Sequence, residues 1–199
     1  MKASKLFMLV TVSIFTLVWL VGLNAATAQA QEVRWERIEG VVPGFGQPSG
    51  QLFDVVGSGP FQAGSGLGSV RGAAPWNTTE GEAKVDLGNG DVEFEVKGLV
   101  LSVGSVPAAG FTGIPIGTPG TVTQVKGTLV CDTNGSASSP VGNSVLVDTD
   151  TVPLSAQGDA EFSGNVGSLP SVCLAESDIA FLIRLPASRY IAFGAVRIP

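Results

Sequence analysis

The sequence predicts an all-β protein, an antiparallel β-sandwich with an open or flattened β-barrel as the alternative. Its 199 residues include 27 glycines and 12 prolines spread along the chain, which is typical of many short elements joined by turns. Apolar residues do not follow helical periodicity beyond a turn or two, whereas several short segments alternate apolar and polar residues. No crossover helices are predicted, which argues against a parallel α/β sheet.

The clearest element is a hairpin in the middle of the chain. Apolar and charged residues alternate through residues 81–87 and again through 91–97, and the second predicted strand continues to 101 with the apolar Leu99-Val100-Leu101. Between them lies Gly88-Asn89-Gly90, in which Asn-Gly suits the positive φ angles of a type I′ turn. We therefore expect two antiparallel strands with one face toward the core and the other toward solvent.

Further strands are predicted wherever β-forming residues lie between glycine, proline and Asn/Asp turns. They cover residues 32–39, 52–56, 120–131, 144–147 and 160–166, and a last hairpin pairs 179–185 with 190–198. Two irregular segments, near 43–67 and 106–120, interrupt them. Long loops on a rigid β scaffold either carry binding function or are exposed insertions without a role.

Residues 1–30 have the three-part pattern of a secretory signal peptide. Lys2 and Lys5 precede an apolar run over 6–23, and small residues follow, so we expect cleavage after Ala28 or Ala30. The run is longer than the roughly 7–15 residues of a usual signal core and approaches the length that spans a bilayer. An uncleaved membrane anchor at residues 6–23 is therefore the alternative. Residues 31–199 are predicted to form a single β-rich domain.

Charge and composition exclude several function classes. Without residues 1–30 the chain has nine basic and seventeen acidic groups, a net charge of −8. This argues against nucleic acid and anionic lipid as partners, because both require clustered Lys and Arg. The chain has no histidine, which excludes imidazole catalysis and histidine-held metals. No cofactor is predicted.

The two cysteines, Cys131 and Cys173, are an even pair in a chain expected to enter an oxidising compartment. A disulfide between them is the natural interpretation.

Paired carboxylates are the catalytic chemistry that the composition leaves open. Glu93 and Glu95 lie two apart on one predicted strand, about 6.6 Å along its axis, which is the kind of spacing an inverting glycosidase uses. They also occupy the polar half of a clean alternation, which is how any solvent face looks. We favour the solvent face and predict no catalytic residues.

Two turn-like segments place oxygen donors at alternate positions and are weak calcium candidates: Asp132 with Asn134, and Asp148 with Asp150. The first resembles the start of a calcium loop but lacks the glutamate that completes it. Ordinary turn chemistry, in which Asp and Asn bond their own backbone, is the favoured explanation of both segments, so no metal site is predicted.

A candidate ligand surface is formed by apolar residues in or beside loops. Trp76 follows a proline and could provide a stacking platform, and Phe111, Ile114 and Ile116 lie in the second irregular segment. Trp35 alternates with Val33 on a predicted strand, so we expect it in the core.

A resemblance rests on five short runs: RGAAPW at 71–76, GLVL at 98–101, GTLVC at 127–131, GDA at 158–160 and LPSVC at 169–173. Together they resemble a group of uncharacterised exported bacterial all-β proteins with no assigned activity, over nearly all of residues 31–199. The resemblance implies that both cysteines belong to a recurring framework. It carries over no functional residues.

The function expected from the sequence is that of an exported, non-catalytic domain that binds a ligand or serves a structural role at or outside the cell envelope. Its partner would be a protein or a carbohydrate. The alternatives are a carboxylate-dependent carbohydrate-active enzyme and a surface protein tethered by an uncleaved N-terminal anchor.

Overall fold

The computed structural model describes residues 31–41, 73, 75–102, 115–133, 144–174, 179–186 and 189–198. The strands in these residues are β1 (Glu32–Gly40), β2 (Trp76–Asn77), β3 (Glu80–Asp86), β4 (Asp91–Lys97), β5 (Val100–Leu101), β6 (Gln124–Cys131), β7 (Val145–Asp148), β8 (Val152–Pro153), β9 (Ala160–Asn165), β10 (Ile179–Arg184) and β11 (Tyr190–Ile198). One short helix, α1, spans Ser171–Leu174. The expected signal segment, the strand at 52–56, the irregular segment 43–67 and residues 106–114 lie outside the described residues.

Nine of these strands form one antiparallel sheet in the order β7-β6-β10-β11-β1-β3-β4-β9, with β8 paired to β6. β8 also packs near β9, so the sheet curls into a half-barrel. β2 and β5 pair separately. The all-β class is confirmed, and the barrel-like alternative describes the curled sheet better than a two-sheet sandwich does. Irregularities in the pairing of β11 with β1 and β10 occur within this sheet, and such bulges bend strands.

The inner face of the half-barrel buries an apolar cluster with an aromatic centre. The ring of Phe181 on β10 lies 5.5 Å from that of Trp35 on β1 and 5.9 Å from that of Phe94 on β4. All three side chains are buried, as expected for Trp35. A side chain at Gly127 on β6 would place its Cβ 2.8 Å from the Phe181 ring. Glycine at this position therefore makes room for the rings that join distant strands across the interior.

The central strand β10 is buried on both faces. Phe181 and Ile183 face the aromatic core, whereas Ala180 and Leu182 belong to a second cluster that includes Tyr190. All six residues of β10 are buried. Its continuous apolar run is typical of a strand with no solvent face.

The predicted hairpin of β3 and β4 is confirmed, but its turn differs from the prediction. The connection is a four-residue loop, 87–90, in which only Gly90 has a positive φ, 81°. A type I′ turn would need positive φ at Asn89 as well. The amide of Gly90 donates to the carbonyl of Asp86 at 2.9 Å. A side chain at Gly90 would collide with the carbonyl oxygen of Gly167, so close packing also requires glycine there.

The predicted disulfide is confirmed. Cys131 at the end of β6 is bonded to Cys173 in α1, with the two Cα atoms 4.9 Å apart. Both residues are fully buried. The bond therefore ties the short helix before β10 to the strand that pairs with β10.

Candidate functional site

The outer face of β1, β3, β4 and β9 is polar and carries a groove of about 770 Å³. Most of its lining residues are the ones that alternate with the buried residues of these strands, including Arg34, Lys84, Glu93 and Ser163, and core residues such as Trp35 and Phe94 supply the rest. We call this surface the polar groove. Its position follows from the alternation of the hairpin, because β9 extends the same outer face beyond β4.

Three glutamates lie side by side across the polar groove. Glu82 on β3 is directly opposite Glu95 on β4, and Glu95 is directly opposite Glu161 on β9. Glu36 on β1 lines the same part of the surface beside Glu82. We call Glu36, Glu82, Glu95 and Glu161 the glutamate row. Directly opposite residues in antiparallel strands have Cβ atoms about 4.5–5.5 Å apart, and like charges at that spacing are destabilising.

Cationic side chains lie toward the two ends of this surface. Lys97 Nζ is 2.9 Å from Glu95 Oε1 and 3.5 Å from Glu80 Oε2. The hydrogen bond with Glu95 and the charges of both glutamates raise the pKa of Lys97. Within the described residues, Glu82 and Glu161 form no ion pair, so the middle of the groove has an excess of negative charge.

At the opposite end, Glu32 is held by two cations. Arg34 Nε lies 2.6 Å from Glu32 Oε1, and Lys84 Nζ lies 3.1 Å from Glu32 Oε2. Hydrogen bonds from Arg34 and Lys84 lower the pKa of Glu32. All three groups are solvent-exposed to a large extent, so these pairs contribute little to stability.

Reversing one charge of the glutamate row is expected to stabilise the protein. In Glu161→Lys a cation replaces the like-charge neighbour of Glu95, which should raise the free energy of unfolding by about 0.5 kcal/mol at low salt. Urea unfolding measures the change, and Glu161→Gln serves as the control that removes the repulsion without adding attraction. The gain should shrink in high salt. A lysine variant less stable than wild type at low salt would contradict the assigned register.

The candidate ligand surface is only partly as expected. Trp76 is buried, with its side chain in the core cluster, so the predicted exposed platform is wrong. The reason is that β2 pairs with β5, which brings Trp76 opposite Leu101. Ile116 is 46% exposed, in a turn whose Gly117 amide donates to the Leu101 carbonyl. Phe111 and Ile114 lie outside the described residues.

Of the calcium candidates, the described residues Asp132, Asp148 and Asp150 do not form a metal centre. Asp132 is buried with a φ of 52°, and Asp150 is exposed. Asn134 lies outside the described residues. Across the part of the chain that the structure describes, no group of three acidic or cysteine side chains is placed to hold a metal ion.

Asp148 instead joins an ion cluster that the sequence did not predict. Its Oδ1 accepts hydrogen bonds from Thr128 Oγ1 at 2.6 Å and Arg184 Nη1 at 2.9 Å, and its Oδ2 lies 2.5 Å from Lys126 Nζ. Burial raises the pKa of Asp148, but the hydrogen bonds from Lys126 and Thr128 and the charges of Arg184 and Lys126 outweigh it, so that pKa lies below its ordinary value. The carboxylate is thus committed to protein cations. Only the pairing of β6 with β7 and β10 brings these residues together.

Removing this carboxylate is expected to destabilise the protein in a pH-dependent way. Asp148→Asn leaves the almost fully buried Arg184 without this anion, which should cost about 1–2 kcal/mol at neutral pH after allowance for the partial exposure of Asp148. Because the folded pKa is depressed, the contribution is complete above the unfolded pKa of about 4 and is lost as pH falls through the folded value.

Unfolding curves of wild type and Asp148→Asn across pH measure this loss. Asp150→Asn is the matched control, since Asp150 is exposed two residues further on, and it should change stability by less than about 0.5 kcal/mol. If the difference in stability between Asp148→Asn and wild type grew as pH fell below 4, the lowered pKa assigned to Asp148 would be contradicted.

Comparisons with known proteins give no match: no protein family, curated protein or solved structure is significantly similar to this chain. A search of the described residues for a helix long and apolar enough to cross a membrane found none.

Proposed function

We propose that this protein is an exported, non-catalytic domain that recognises a protein partner at or outside the cell envelope through the polar groove. The observation that carries the proposal is the groove itself, a space of about 770 Å³ between side chains of four adjacent strands. Strands paired within one sheet provide a rigid surface. Such a surface binds without paying for its own ordering.

Export is supported by the buried disulfide and by the signal-like pattern of residues 1–30. A structural disulfide persists where the surroundings are oxidising. The bond between Cys131 and Cys173 is buried, away from solvent reductants. These two features support the same compartment independently.

The chemistry of the groove favours a basic protein segment over a carbohydrate. The glutamate row offers carboxylates that complement Lys and Arg side chains. Sugar-binding sites commonly use a fully exposed aromatic ring. The aromatic residues of the groove are Trp35 and Phe94, which are buried, and Phe162, which is partly buried against the core. A carbohydrate ligand is the alternative that the experiment below distinguishes.

A second candidate function is carboxylate-dependent glycoside cleavage. The observation that favours it is the direct opposition of Glu82, Glu95 and Glu161, since retaining glycosidases hold two carboxyl groups about 5 Å apart. A general acid of this kind needs an apolar environment that keeps it protonated. All three residues are solvent-exposed, which is why we place this function second.

One titration distinguishes the two functions. The folded domain, labelled for NMR, is titrated with a lysine-rich peptide and with a panel of soluble oligosaccharides, while reducing ends are counted in the same samples. We expect amide shifts around Glu95 with the peptide, lost in Glu95→Gln and kept in Glu39→Gln, which lies outside the groove. New reducing ends that depend on Glu95 would support the enzyme instead. Shifts with neither probe would contradict recognition through the groove.

A further inference from the structure

The loop between β3 and β4 contains an Asn-Gly pair, Asn89-Gly90, and this sequence is chemically reactive in flexible peptides. The amide nitrogen of the glycine loses its proton and attacks the side-chain carbonyl carbon of the asparagine. A new C–N bond closes a succinimide ring, the bond from Cγ to Nδ2 breaks, and the nitrogen leaves as ammonia. Water then opens the ring at either carbonyl, which gives aspartate or isoaspartate without any oxidant or reductant.

In the folded hairpin each reacting group of this pair has a hydrogen-bond partner. The nucleophile, Gly90 N, donates to the carbonyl of Asp86 at 2.9 Å. The Oδ1 atom of Asn89 accepts from the amide of Asp91 at 2.8 Å, and its Nδ2 donates to Asp91 Oδ2 at 2.8 Å. Attack would require the Gly90 amide to lose its acceptor and the Asn89 side chain to turn away from Asp91.

The neighbouring strand adds a second layer of restraint. Asn165 Nδ2 donates to the main-chain carbonyl of Asn89 at 2.9 Å and to Asp91 Oδ1 at 2.7 Å. The carbonyl of Gly90 accepts from the amide of Val166 at 2.9 Å. The loop is therefore bonded to the segment around β9 as well as within itself, so it cannot rearrange alone.

We propose that Asn89 is a deamidation site that the native hairpin closes and that local unfolding of the β3–β4 loop opens. Each opening gives the succinimide a chance to form, and the product is permanent. Isoaspartate would lengthen the main chain by one carbon in a loop that is hydrogen-bonded both within itself and to the segment around β9. Either product would place a new carboxylate beside Asp91. The fraction of modified protein therefore increases with the number of times that the hairpin has opened.

The test follows the mass increase at Asn89 by peptide mapping after incubation in mildly alkaline buffer, folded and in concentrated urea. We expect deamidation of the folded protein to be at least about 100-fold slower than that of the unfolded chain, because the loop reacts only when it opens. Equal rates in the two conditions would overturn the proposal.

Two variants test whether the hydrogen bonds of Asp91 are what slows deamidation of Asn89 in the folded protein. Asp91→Ala removes the acceptor of Asn89 Nδ2 and also one acceptor of Asn165 Nδ2. It should speed deamidation of the folded protein by at least about 5-fold, the factor that a single hydrogen bond is worth. Glu93→Ala, on the same strand and face but away from the loop, should leave the rate unchanged. In urea all three proteins should react alike. Unchanged reactivity of folded Asp91→Ala, or equal acceleration by Glu93→Ala, would contradict the assigned contacts.

Discussion

Phe181→Ala is expected to lower the free energy of unfolding by about 3–5 kcal/mol, the largest effect of any single substitution considered. Phe181 is fully buried and contacts the rings of both Trp35 and Phe94. Its removal leaves a cavity between β1, β4 and β10, strands that pair with different neighbours and cannot collapse together without breaking the sheet. The lost transfer energy and the residual cavity therefore add.

Urea unfolding measures the effect, and Phe162→Ala provides the matched control. Phe162 is also an aromatic residue stacked 5.9 Å from Phe94, but it lies on the terminal strand β9 and is only partly buried. We expect Phe162→Ala to lower the free energy of unfolding by about 1–2 kcal/mol, since part of the Phe162 side chain already contacts water. A cost for Phe162→Ala equal to or greater than that for Phe181→Ala would contradict the placement of the aromatic centre.

Replacing both cysteines is expected to have the second largest effect. The disulfide closes a loop over 42 positions, and the chain-entropy relation then gives about 4 kcal/mol of stabilisation. The double variant Cys131→Ala/Cys173→Ala removes the bond without leaving a buried thiol. It should unfold at a clearly lower urea concentration than oxidised wild type.

The wild-type protein supplies its own control for this effect. Wild type that has been reduced in denaturant and kept reduced should match the double variant within about 1 kcal/mol, since both lack the bond. Reductant added to the folded protein should act slowly, because both sulfurs are buried. A double variant as stable as the oxidised wild type would show that the disulfide does not staple α1 to β6.

Much of this fold could be predicted because the strands alternate or are continuously apolar. The pattern of β4 placed Phe94 inside and Glu95 outside, and the structure confirms both. The run from Ile179 predicted a strand, and its apolar residues on both faces fit the central position of β10. Pairing between distant strands has no comparable signal in a single sequence. The half-barrel and the neighbours of β10 therefore emerged only from the structure.

The turn between β3 and β4 shows how an error in the predicted turn type changes the predicted pairing of residues at the candidate site. A two-residue turn at Asn89-Gly90 would pair Glu82 with Lys97, opposite charges that need no explanation. The four-residue loop shifts the register by two residues and sets Glu82 opposite Glu95. Either register leaves the same side chains facing the core, so hydrophobic patterning alone does not distinguish them. In the observed loop Gly90 packs closely against Gly167, which is remote in sequence.

The misplacement of Trp76 has a similar origin. Its proline neighbour and glycine-rich surroundings indicated a loop, and exposed aromatic residues in loops are typical of binding sites. The pairing of β2 with β5 spans only two residues on each strand. A strand this short leaves no periodic pattern in the sequence, yet it is enough to bury the indole ring.

Both the export proposal and the disulfide are tested by the intact mass of the protein isolated from the exported fraction, taken before and after alkylation of its thiols in denaturant without reductant. We expect a chain that begins after Ala28 or Ala30, as proposed for an exported protein, and that takes up no alkylating agent, because Cys131 is bonded to Cys173. A chain that still begins at Met1, or one that is alkylated at two cysteines, would contradict this expectation.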